Sequence, residues 1–176
     1  SGGGPHFAGT VSLRGSTVIA LVHDIFAEFI RHGWRRFLVI DWHLENIPFV
    51  YEGIDEAIRE AGEVEGLKVV KVDNLVDPIF RIDPGLVDFV FGGEYQGMAV
   101  EHASAWETSL MLGTRPELVN MDKAVDGGLP QPWAYDVLPV AKDAAPASGV
   151  FWKATMAAKE KGERLWSALD QAMLEI

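Results

Sequence analysis

The chain has 176 residues, 48% of them hydrophobic and 23% charged, the balance of one globular domain with a sizeable core. It contains no cysteine; disulfides and thiolate ligands are excluded, which suits a cytoplasmic protein and leaves any metal to His, Asp, Glu and water, the donors of zinc, manganese or magnesium. A formal net charge of −11 argues against a nucleic-acid partner, and no apolar run is long enough to span a bilayer.

The start, Ser1-Gly2-Gly3-Gly4-Pro5, reads as a loop and not as a signal peptide. Ser16 or Thr17 is placed to cap a helix running to about His32, with an apolar face that includes Val18, Val22, Phe26 and Ile30. Gly33 ends it, and the basic cluster Arg31-His32-Gly33-Trp34-Arg35-Arg36 sits at the negative end of its dipole. Arg36 to Ile40 follows as a strand. Asn46 is placed to cap a second helix to about Ala61, with Gly62 behind it, and Leu67 to Val72 reads as a second buried strand. Strand, helix and strand in this order predict a parallel pair with a right-handed crossover.

Asp73 to Pro84 reads as irregular. Glu101 to Gly113 is expected to contain a helix from about Ser104, with Pro116 opening a short turn. Leu129 to Pro146 is proline-rich and expected to be extended. Phe151 to Ile176 reads as helical, with Met156, Leu165, Trp166, Leu169, Ala172 and Met173 at turn spacing and Gly162 as a weak point.

Asp41-Trp42-His43-Leu44-Glu45-Asn46 stands where chemistry is expected, beyond the carboxyl end of a buried strand. Residues two apart on an extended chain point the same way, so His43 and Glu45 can face one metal centre. A carboxylate in the first turn of a helix explains the same residues without a metal, so spacing alone leaves both readings open. His102 precedes the predicted helix and Glu107 lies inside it; the imidazole is suited to proton transfer and the carboxylate to orienting it, or Glu101 and Glu107 are ordinary helix-start carboxylates and His102 is simply exposed. Trp42 and Trp106 adjoin these segments and could wall a pocket; His23 reads as structural.

These residues resemble the creatininase (creatinine amidohydrolase) family. The resemblance runs through nearly the whole chain. It is strongest over Ser1 to Leu13, Arg31 to Glu60, Glu101 to Leu112, and Lys153 to Gly162. It implies an α/β fold, a three-layer α/β/α sandwich with a mostly parallel central sheet, as one domain over residues 1–176. It also implies two divalent metal ions, zinc and/or manganese, and a homo-oligomer, often a hexamer. By position His43 is implied as ligand of one metal and Glu45 of the other. His102 is implied as the proton-transferring residue with Glu107 as its neighbouring acid, and Ser1 as a substrate contact.

Two departures from the family pattern follow. The family's N-terminal third, with a Glu-x-His pair and a later Asp that complete the metal shell, is not in this sequence, so the chain is expected to be an N-terminally truncated piece. The substrate pocket also differs: Leu44 stands where the creatinine enzyme has an aromatic residue, and Met98 and Ala99 stand where it has a Trp-Asp pair. The expected reaction is hydrolysis of a small cyclic amide by metal-activated water. The changed pocket keeps open a ring-opening hydrolase of a cyclic sugar ketone of inosose type. The missing ligands keep open a non-catalytic, assembly-forming homologue.

Overall fold

In the computed structural model, helix α1 spans Gly15–Arg31. It begins before Ser16 and Thr17, and neither caps it. Arg14 stands at the N-cap in extended conformation, and its carbonyl accepts the amides of Thr17 and Val18 at 2.9 and 3.1 Å. A backbone carbonyl thus satisfies the first amides that a hydroxyl was expected to take. At the other end Gly33 adopts φ 93° and passes its amide to the Ile30 carbonyl at 3.0 Å, as a chain-reversing glycine does.

Strand β1, Arg36–Ile40, is followed by a 3-10 turn, Leu44–Asn46, and helix α2, Ile47–Ala61. Strand β2, Lys68–Val72, then pairs parallel with β1, Arg36 opposite Lys68 and Ile40 opposite Val72. The predicted β–α–β unit is present. Asn46 is the N-cap of α2 but makes no side-chain cap bond. Helices α1 and α2 meet at Gly53, where a Cβ would lie 2.7 Å from the Ile19 carbonyl and 2.8 Å from the Val22 Cβ. Phe26, Ile54 and Ala57 form the core there, with Phe37, Val39 and Val69 of the sheet packed against them. Strand alternation leaves Leu38 and Ile40 facing away, each 55% exposed.

The structure describes residues 11–73, 76–95, 97, 101–128 and 145–176, and the chain divides into two compact units, Ser1–Asn74 and Leu75–Ile176. Of the stretch expected to be extended, Leu129 to Pro146, residues 129–144 therefore lie outside the described residues. In the second unit helix α3, Val76–Ile82, occupies the stretch read as irregular, and helix α4, Leu86–Phe91, follows it. Pro78 does not interrupt α3. In the first turn it removes an amide that would have no helical partner, so it costs no hydrogen bond. Ile79 is fully buried and anchors the helix.

Helix α5, Ala105–Thr114, and helix α6, Lys159–Leu174, pack closely. Gly162 is no weak point. A Cβ there would overlap the Ser109 carbonyl, and one on Gly113 would lie 2.8 Å from the Gly162 carbonyl carbon. The two glycines permit the close approach. Helix α6 starts eight residues later than Phe151, because Trp152 holds φ 68° and Ala154–Met156 forms a separate 3-10 turn. Trp106 and Trp152 are buried around Phe91, with ring centroids 6.4 and 5.3 Å from it. Trp34 and Trp166 remain 57% and 38% exposed. Among the described residues no helix is long and apolar enough to cross a membrane.

Candidate active site

Strand β1 delivers the Asp41–Asn46 segment. Its last bond to β2 runs from the Asp41 amide to the Val72 carbonyl at 3.0 Å. Asp41 is buried, and its Oδ2 makes no hydrogen bond among the described residues. Its charge is offset by Lys71 on β2, whose Nζ lies 3.3 Å from Oδ2 and also contacts Asp73. A lysine in the middle of an apolar strand was the available sequence signal for this pair. Solvent-facing lysines look the same in sequence, so the signal does not single out the pair.

The chain stays extended only through His43, with φ −121° and ψ 117°, and then enters the 3-10 turn. The tip therefore does not remain extended as far as Glu45. The side chains meet nevertheless: His43 Nδ1 lies 2.5 Å from Glu45 Oε2, with the two side chains 60% and 61% exposed. The turn folds residue 45 back toward residue 43. An imidazole nitrogen and a carboxylate oxygen, adjacent and open to solvent, are donors that zinc and manganese both accept. They supply part of a shell; no group of three or more potential ligands occurs among the described residues. Leu44, between them, is 59% exposed and free to meet a substrate.

His102 belongs to the second unit. Its ring is half exposed, with Nδ1 4.0 Å from Glu107 Oε2, beyond hydrogen-bond range. Glu107 instead accepts the Ala103 amide. Ala103 holds φ 53°, a left-handed conformation that costs a non-glycine residue about 1–2 kcal/mol. The turn around it is held from several sides. The His102 carbonyl accepts the Phe151 amide at 2.9 Å, and Thr108 Oγ1 donates to the Ala103 carbonyl at 3.2 Å. Glu101 Oε1 accepts the Ser104 hydroxyl at 2.6 Å and the Trp106 amide at 3.1 Å. Burial pushes the Glu101 carboxyl above the usual carboxylate range; the Ser104 hydroxyl opposes this and the Glu107 carboxylate reinforces it. Ser104 stands at the N-cap of α5, yet it donates to Glu101 and does not cap the helix itself.

Trp106 does not wall a pocket. It is 1% exposed and stacked on Phe91, because α5 turns it into the core. Trp42 is 48% exposed. Ser1, Met98 and Ala99 lie outside the described residues. Glu101 was read only as a helix-start carboxylate, although its spacing to Ser104 and Trp106 is what lets it reach both.

The family model for creatininase, creatinine amidohydrolase, matches residues 1–176. The chain belongs to the creatininase family. A creatinine amidohydrolase from Pseudomonas putida is 39% identical over 99% of this chain and 67% of its own length. A solved structure described as a manganese creatininase superposes with a TM-score of 0.85 at 37% identity, over 97% of this chain and 66% of that one. A Zn-Zn type creatininase mutant gives 0.86 at 38% identity, again over 97% and 66%. The creatininase-family chain thus spans about two thirds of the length of these relatives, and the α/β class read from its sequence is theirs.

Proposed function

We propose that this chain acts in a metal-dependent hydrolase that opens a small, creatinine-like cyclic amide. The adjacency of His43 and Glu45 beyond β1 carries the reading. It is supported by a family match that extends over residues 1–176, which also favours one domain containing both units. His43 would hold one ion through its imidazole and Glu45 the other through its carboxylate. The manganese and Zn-Zn forms among the relatives favour those two metals. Two divalent ions, when bound, lower the pKa of a shared water and polarise the carbonyl it attacks.

The residues of the chain supply the rest. As water oxygen bonds to the carbonyl carbon, the ring C–N bond breaks and the leaving nitrogen needs a proton. His102 would deliver it, since an imidazole suits general acid–base transfer. Glu107 lies on its Nδ1 side, and Nε2 would make the transfer. Leu44, Met98, Ala99 and Ser1 would contact the substrate. The working protein would be a cytoplasmic homo-oligomer, hexameric by resemblance.

Leu44 favours a second reading, because an exposed aliphatic residue does not stack on a planar creatinine ring as an aromatic one does. Cyclic sugar ketones of inosose type would suit it better. One panel separates the two. The full-length protein, loaded with zinc or manganese, is assayed against creatinine, other cyclic amides and inososes. Hydrolysis of a cyclic amide supports the first reading and of an inosose the second. A fully metallated protein that turns over neither contradicts both.

A further inference from the structure

Resting on the reading of His102 as the proton-transferring residue, we infer that Glu101 is a positioning residue for it, acting through the turn Glu101–Trp106 without touching the imidazole. Its Oε1 collects two donors from beyond the strained residue, the Ser104 hydroxyl at 2.6 Å and the Trp106 amide at 3.1 Å. Both residues are buried, at 0% and 1% exposure, so water cannot replace the lost acceptor. A buried donor without a partner is unfavourable, and the turn must shift to satisfy it.

The direction of the His102 side chain is set by two fixed points. Both lie just C-terminal to its Cα: the His102 carbonyl, bonded to the Phe151 amide, and Ala103, held at φ 53°. A non-glycine residue stays in that conformation only when its surroundings over-determine it. Glu107 holds the Ala103 amide, and Glu101 holds Ser104 and Trp106 beyond it. With Glu101 removed, Ala103 can relax to negative φ and the imidazole leaves the chain in another direction. What Glu101 must provide is an oxygen acceptor; its charge is not required, in keeping with a site where burial already disfavours the charged form.

The test uses the full-length protein and reads the His102 ring resonance by NMR, identified by its loss in His102→Ala. Glu101→Ala should move or broaden that resonance while those of His23, His32 and His43 stay in place. Glu101→Gln, which keeps the acceptor, should restore it. Turnover should follow the same order: a displacement of order 1 Å costs kcat about 10²-fold, with KM little changed. If Glu101→Ala does not fold, Ser104→Ala removes one of the two bonds and should shift the resonance less, in the same direction. An unmoved His102 resonance in the folded variant, or no rescue by glutamine, overturns the inference. Retained turnover in His102→Ala would instead defeat the proton-transfer role, and the resonance would still decide whether Glu101 sets the ring.

Discussion

Nζ of Lys71 lies 3.3 Å from Oδ2 of Asp41 across the ends of β1 and β2, and their side chains are only 9% and 6% exposed. A buried charge is tolerated here because its partner is buried beside it. Lys71→Met keeps the apolar stem and removes the ammonium. Leaving Asp41 unpaired should destabilise the protein by about 3–5 kcal/mol in urea unfolding. A loss below about 1 kcal/mol would mean that Asp41 finds another partner.

His43 and Glu45 should both be needed for metal. Loss of a residue that merely supports a ligand weakens metal affinity roughly 10–100-fold, so His43→Ala and Glu45→Ala should each cost at least about 100-fold. Titration calorimetry with zinc and manganese on the full-length protein measures this. Leu44→Ala should leave metal affinity intact and alter KM, because Leu44 offers no donor.

His23 bridges α1 and α2. Its Nδ1 lies 3.1 Å from Asp24 and its Nε2 2.8 Å from Glu60. The hydrogen bond to Asp24, then that to Glu60, raises its pKa above the ordinary 6.5. A raised pKa means that the folded state favours the charged form. The stabilisation is full below about pH 6.5 and fades as pH rises through the raised folded value. The Tm difference between the protein and His23→Gln should therefore be largest in acid and vanish in alkali. A difference that grows with pH would contradict the bridge.

Gly162→Ala tests the packing of α5 on α6. Helix propensity alone predicts a gain of about 1 kcal/mol. The overlap with the Ser109 carbonyl predicts the opposite, since forcing packed backbones apart costs about 1–3 kcal/mol or more. The expected result is a lower Tm; a higher one would mean that the helices separate at little cost.

The β1–α2–β2 unit was legible because Phe37, Val39 and Val69 repeat with strand periodicity and Gly33 and Gly62 end their helices at positive φ. Helix α3 was not legible, since it contains Pro78, whose meaning depends on its position within the helix. Gly162 was misread because propensity is local, while its reason for being small is a carbonyl on another helix. In the candidate site the types and spacing of His43, Glu45, His102 and Glu107 were visible. That Glu107 binds the Ala103 amide, and that Glu101 holds the turn, were not, because hydrogen-bond partners follow from a left-handed backbone that no residue type announces at alanine.

The central claim is that His43 and Glu45 ligate divalent metal. Anomalous diffraction from crystals of the full-length protein, collected at the manganese and zinc edges, tests it most directly. A peak is expected about 2.0–2.2 Å from a His43 ring nitrogen and another at that distance from a Glu45 oxygen. Bound metal located elsewhere, with both side chains still paired only to each other, would contradict it.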